Sequence, residues 1–201
     1  MLQVNLTRRE EAAFEGDAWA LYEDLASAHP APFAAYLEGP GFAIASCSPE
    51  RFLHRRGDRL EARPIKGTAA RGIDETEDAA RRQKLAASVK DRAENVMIVD
   101  LMRNDLGRVA VTGSVEVPEL FALESYASVW QMVSTVRARL RPDCGVAQLL
   151  RACWPAGSMT GAPKIKAMEI VERLEALRRD WYAGLRIVET LERGSEAAGA
   201  G

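Results

Sequence analysis

The stretch SPERFLHRRGDRLEARPIKGT, residues 48–68, decides how the rest of the chain is read. Arg51 to Arg55 and Arg59 to Arg63 read as short strands, separated by the turn-forming pair Gly57-Asp58. The run ends at Pro64-Ile65-Lys66-Gly67-Thr68. The proline fixes φ on one side of Lys66, and the glycine on the other lets a ligand come close to the backbone. A lysine held in this way is a candidate amine nucleophile. Most lysines are exposed, so a solvated side chain in a turn is the other reading.

Working outward, Phe33 to Leu37 and Gly41 to Ser46 also read as strands, punctuated by Gly39-Pro40 and Ser48-Pro49. The four strands together predict an antiparallel meander ending at Lys66. Before it, Leu2 to Leu6 alternates as a short strand, and Asp17 caps a helix through Ala28 that His29-Pro30 ends. After it, Asp74-Glu75-Thr76-Glu77 has the form of a capping box and predicts one long helix to Gly107, with Leu85, Val89, Ala93, Val96 and Leu101 as its stripe. Val109 to Val117 reads as strand, turn and strand, Val129 to Leu140 as a longer strand, and Val146 to Cys153 as a short helix. Trp154 to Lys164 reads as a loop feeding a further helix. Pro163 suits the first turn, Ile165, Met168, Val171, Leu174 and Leu177 the buried stripe, and Glu169 and Arg173 an exposed pair. Gly194 to Gly201 carries too little apolar surface to order itself. This order predicts an α+β fold of antiparallel sheet layers with helices packed outside.

The chain has 201 residues, enough for one domain with a sizeable core or two small ones. Its 27 basic and 29 acidic residues nearly cancel, so no net field favours nucleic acid or a membrane surface. No apolar run approaches the roughly 20 residues of a membrane span, and no signal peptide opens the chain. Cys47, Cys144 and Cys153 have no CxxC spacing, which argues against a disulfide framework or zinc site and for the cytoplasm. Asn5-Leu6-Thr7 has the form of a glycosylation sequon and, without a secretion signal, is read as chance.

Further candidates for chemistry lie near these elements. Glu50 starts a strand and can act as a general acid or base, or be a surface carboxylate in a turn. Glu94 sits in the long helix, one turn after Lys90 and one before Ile98; it can help hold a hard cation such as Mg²⁺, or be an ordinary surface residue. Asp100, Arg103, Asn104, Asp105 and Arg108 read as caps and ion pairs. The Gly157 to Lys164 loop has the wrong glycine spacing for a phosphate loop, and Ile165 stands where a metal-binding hydroxyl is required. What remains is a set of backbone N–H groups and hydroxyls at a helix N-terminus, suited to an anion. His29 and His54 have no partners at metal spacing.

Taken together, QVNLTRR from Gln3, SPERF from Ser48, PIKGT from Pro64, AENVMIVDLMRNDLGRV around Glu94 and AGSMTGAPKIKAMEIVERLE from Ala156 resemble the chorismate-utilising enzymes, with the motifs in the family's order. The branch turns on Lys66: anthranilate synthases and the isochorismate and salicylate branch typically carry alanine there. The branch with PIKGT aminates chorismate at C4. The resemblance implies Lys66 as nucleophile at ring C2, Glu50 as general acid for loss of the C4 hydroxyl, and Mg²⁺ held partly by Glu94. Ammonia from a glutamine amidotransferase partner enters at C4. Gly67, Thr68, Ser158, Thr160, Gly161 and Tyr182 map onto substrate-proximal positions. A lysine amine attacks only when deprotonated, so burial or a nearby cation has to favour its neutral form.

The sequence also departs from the family pattern. Pyruvate-eliminating members carry histidine where Gln131 stands, and an amide is neither acid nor base at neutral pH. Family members have a substantial portion before QVNLTRR. After Tyr182-Ala183-Gly184 they continue into strands bearing an arginine, a glycine-rich loop and a second metal-binding glutamate. Residues 1–184 are therefore expected to form a partial catalytic domain and 185–201 a divergent, disordered tail. The isolated chain is expected to be nearly inactive. Rival expectations are an anthranilate synthase component and a non-catalytic fragment.

Overall fold

The computed structural model describes residues 3–8, 10, 12–175, 179 and 189–192, the last four by backbone alone. The chain gathers into two compact units: residues 1–7 with 50–184, and residues 8–49 with 185–201.

The first unit is built on one long strand. β1 (Gln3–Val4) opens it; β4 (Arg51–Arg56) and β5 (Arg59–Arg63) form a hairpin, and β6 (Ile65–Ala70) continues the line of β5. β7 (Glu116–Ser125) and β8 (Val129–Arg139) form a second hairpin. β5 and then β6 run antiparallel along one side of β8, and β7 runs along the other. β8 is central because both its faces are usable: Met132 to Val136 are all buried. Apolar Leu60, Ala62, Val136 and Ala138 face a helix layer, while Arg59, Glu61 and Arg137 face away. Burying Leu60 and Val136 contributes about 1.5–3 kcal/mol each.

The expected meander is interrupted in two places. β2 (Phe33–Gly39) and β3 (Phe42–Ser48) pair with each other, in a sheet separate from β4 and β5. Lys66 lies within β6 and not in a turn.

The expected long helix is two: α2 (Glu75–Ala87), capped by Asp74, and α3 (Val89–Gly107). Ser88 makes the break, its hydroxyl accepting from the N–H of Asp91 at 3.2 Å. The break also changes the buried stripe. Asn95, Ile98, Val99, Met102 and Leu106 are buried on α3, whereas Val89 and Val96 are exposed. α4 (Val146–Cys153), where the sequence predicts a short helix, closes over this core with Leu149, Ala152 and Cys153.

The predicted loop after α4 holds a helical turn, α5 (Gly157–Thr160), and a short strand, β9 (Gly161–Ala162), before α6 (Lys164–Leu174). Pro163 is the N-cap of α6 and so precedes its first turn. The buried face of α6 is Ala167 and Val171; Ile165, Met168 and Leu174 are exposed. Glu169 pairs with Lys166 at 2.8 Å. β1 pairs antiparallel with β9. Gly161 is required there: its φ is +124°, and a Cβ would lie 1.9 Å from the carbonyl oxygen of Gln3.

In the second unit, α1 (Ala18–Ala28) is capped by Asp17 and packs on β3. Trp19 meets Tyr36 of β2 edge-on at 5.2 Å. Within the expected tail, β10 (Glu189–Glu192) pairs antiparallel with β3.

Candidate active site

Residues far apart in sequence meet around Ser158. Its hydroxyl donates to the carboxylate of Glu50. Its carbonyl oxygen accepts from Lys66 Nζ at 3.4 Å and from Asn5 Nδ2 at 2.7 Å. The other oxygen of the Glu50 carboxylate accepts from the Ile65 N–H at 3.3 Å. An amine and a carboxylate are thus held on two sides of one serine, at the start of α5. Glu50, Lys66 and Ser158 are all partly buried, so their hydrogen bonds are only partly screened by water.

The position of Lys66 comes from an irregularity in β6. Ile65 faces Val133 and Thr68 faces Gln131, so Lys66 and Gly67 together oppose Met132. This is a β-bulge, which inserts one residue and re-aims the side chains beside it. Gly67 meets the demand with φ +98°. A Cβ there would approach Asp91 Cβ to 2.9 Å, so α3 packs directly onto the bulge.

The other expected site residues lie around this centre. Thr68 is exposed on β6, while Gln131, its cross-strand neighbour, is buried with its amide oxygen unpartnered among the described residues. Thr160 is buried, and its hydroxyl donates to the Ala156 carbonyl at 3.2 Å. Gly161 lies in β9, bracketing the Ser158 turn. Glu94 projects from α3, 3.7 Å from the exposed Lys90 ammonium. Tyr182 lies outside the described residues. The charged cluster at the end of α3 is structural: Arg103 pairs with Asp100, and Asp105 with Lys164 of α6.

Sequence reasoning gave no site role to Asn5, which it placed in a short strand, the QVNLTRR motif and a chance sequon, or to Asn95. A visible signal for Asn95 was its place on a helical stripe with Ile98 and Met102, where an amide needs a reason to be buried.

As a Mg²⁺ site the donor set is minimal. Among the described residues no three His, Cys, Asp or Glu side chains cluster. One partly buried carboxylate at Glu94 suits an ion that keeps several waters and borrows substrate oxygens, not an all-protein cage.

The profile of the chorismate binding enzyme family matches residues 1–193. The chain belongs to the chorismate binding enzymes. Among relatives of this family, aminodeoxychorismate synthase component 1 of Salmonella typhimurium is 53% identical over 182 residues, covering 90% of this chain and 40% of that protein. The protein of the same name from Escherichia coli is 52% identical over 182 residues, with the same coverage. The crystal structure of anthranilate synthase component I from Streptococcus pneumoniae superposes with a TM-score of 0.76 at 29% identity, over 90% of this chain and 41% of that one. The chain therefore spans about two-fifths of the length of these chorismate binding enzymes. The shared architecture bears out the α+β reading. Among the described residues no helix is long and apolar enough to cross a membrane.

Proposed function

We propose that the chain carries the nucleophile-bearing part of an aminodeoxychorismate synthase component 1, with residues 1–184 contributing to its catalytic domain. The observation that carries this reading is the joint attachment of Lys66 and Glu50 to Ser158. Identity of 52–53% to proteins of that name supports the choice of branch.

In this reading the Lys66 amine attacks C2 of the chorismate ring and gives up a proton. Both conjugated ring double bonds shift, and the C4 oxygen leaves as water, protonated by Glu50. Ammonia then bonds to C4 and gives up a proton, both double bonds shift back, and the C2–N bond to Lys66 breaks as the amine takes up a proton. The sum is chorismate and ammonia giving 4-amino-4-deoxychorismate and water. The Ser158 carbonyl orients the amine, and the Ser158 hydroxyl and Ile65 N–H orient the carboxylate. A Mg²⁺ held in part by Glu94 would supply positive charge for the substrate carboxylate. Gln131, an amide, supplies neither acid nor base for pyruvate loss. A glutamine amidotransferase would deliver the ammonia, in the cytoplasm, for folate synthesis.

Lys66→Ala in the full-length protein tests this. With ammonia, chorismate and Mg²⁺, aminodeoxychorismate formation is expected to fall by at least about 10²-fold, as for loss of a covalent nucleophile. Wild-type turnover in that variant removes the lysine from the mechanism. Pyruvate release by the wild type removes the branch assignment.

A further inference from the structure

We propose that Asn95 is a positioning residue for the Lys66 amine, acting through the backbone of the β6 bulge; this rests on the reading of Lys66 as nucleophile. A bulge breaks the strand ladder and leaves backbone groups without their regular partners. In a buried setting each such group is costly unless something else pairs with it. Asn95 is fully buried and does this pairing. Its Nδ2 donates to the carbonyl of Lys66 at 3.4 Å and to the carbonyl of Met132, the residue opposite, at 3.1 Å. Both amide protons are thereby used.

The amide oxygen is used as well. It accepts from the Ser134 hydroxyl at 2.5 Å. That hydroxyl accepts in turn from the Phe121 N–H at 3.1 Å. Phe121 marks a second irregularity: β7 shifts register against β8 between Glu119 and Ala122, and Phe121 has φ +62°. One side chain on α3 therefore joins the bulge of β6 to that of β7 across β8. Its hydrogen bonds lead to the bulge residue, to the residue opposite it and to the hydroxyl that serves the second irregularity. An aliphatic residue would fill the volume beside Ile98 and Met102 but would remove the Asn95 bonds to the Lys66 and Met132 carbonyls. The amine extends from the residue whose backbone is pinned, so its aim depends on that pin. A misplacement of about 1 Å at a reacting group can cost on the order of 10²-fold in rate.

The test uses the full-length protein with ammonia as nitrogen source, comparing Asn95→Leu, Asn95→Asp and Ser134→Ala with Lys66→Ala. The Asn95 variants are expected to lose about 10-fold or more in kcat, with KM for chorismate within about two-fold, the split that marks lost transition-state geometry. Amide hydrogen exchange over residues 65–68 is expected to quicken in parallel. A folded Asn95 variant with wild-type kcat, or with unchanged exchange over that segment, overturns the proposal. Should neither Asn95 variant fold, Ser134→Ala decides, because it keeps Asn95 but removes one anchor. A fall of about three-fold or more in kcat then supports the proposal, and wild-type kcat overturns it. Wild-type turnover in Lys66→Ala refutes the nucleophile and not the pin, which the exchange data judge independently.

Discussion

The Ser158 hydroxyl donates to the Glu50 carboxylate from 108 residues further along the chain, and it does so beside the Lys66 amine, which bonds to the same residue's carbonyl. The two contacts differ in what a substitution removes. Ser158→Ala deletes the hydroxyl contact and leaves the carbonyl in place. In the full-length protein it is expected to lower kcat for amination by roughly 3- to 30-fold while leaving Lys66 anchored, since one positioning hydrogen bond of about 0.7–2 kcal/mol is lost. Steady-state kinetics with saturating ammonia checks this. A rate as low as that of Lys66→Ala would mean that Ser158 acts directly in the chemistry.

Gly67 gives a test of the bulge itself. Its φ of +98° is a region that side chains avoid, and the space for a Cβ is taken by Asp91 and Leu85. Gly67→Ala is expected to destabilise the protein by about 1–3 kcal/mol through strain alone. Urea unfolding monitored by circular dichroism measures it. Gly57→Ala provides the contrast: φ is +64° there too, but a Cβ meets nothing within 4 Å. The smaller loss at Gly57 isolates the conformational cost from the clash.

Strand and helix identities were legible where one period dominated. Leu60 and Ala62 alternate cleanly with charged neighbours, and Val146 to Cys153 repeats at helical spacing, so β5 and α4 fall where the pattern puts them. The boundary at Ser88 was not legible, because a serine can sit in a helix and only the Asp91 N–H reveals it as a cap. Lys66 and Glu50 could be named from local chemistry and family motifs. Their meeting at Ser158 could not, because nothing local says that β1 and β9 pair and bring Asn5 to that turn. The bulge was hidden for a related reason: register belongs to two strands, and PIKGT shows only one of them.

Deeper in the same unit, Lys164 and Asp105 form a buried pair at 2.5 Å, with the ammonium also donating to the Cys153 carbonyl at 2.8 Å. Burial pushes the Asp105 carboxyl upward, and the Lys164 hydrogen bond opposes that. Lys164→Met leaves a buried carboxylate without its counter-charge and is expected to cost about 3–5 kcal/mol at pH 7. Because this acid's folded pKa is raised, part of the loss is recovered as the pH falls and the carboxyl takes up a proton. Urea midpoints of variant and wild type across pH 4–7 are expected to converge toward the acid end. Nearby, burial foremost and the Asp105 charge next push the Cys153 thiol up to about 11. A thiol reagent at about pH 8 is therefore expected to leave Cys153 untouched until the protein unfolds, by mass-spectrometric mapping.

Glu175, the C-cap of α6, ties that helix to the segment after β1, whose Asn5 bonds to the Ser158 carbonyl. Its carboxylate pairs with Arg179 and accepts from the Thr7 N–H at 2.7 Å and the Thr7 hydroxyl at 2.6 Å. Arg179 also donates to the Met159 carbonyl at 2.9 Å and to the Asn5 carbonyl. The guanidinium first, and then the Thr7 donors against the opposing effect of burial, lower the Glu175 carboxyl from an ordinary 4.5 to about 2. A depressed folded pKa means stabilisation that is complete above the unfolded value and disappears as the pH falls through the folded one. The gap in urea midpoint between wild type and Glu175→Gln is therefore expected to be constant near neutrality, to shrink from pH 4.5 downward and to close near pH 2. Asn5 bonds to the Ser158 carbonyl, so the same variant at pH 7 is expected to quicken amide exchange over residues 158–160. A pH-independent gap would place the stabilising charge elsewhere. Unchanged exchange would uncouple this clamp from the serine on which Lys66 and Glu50 converge.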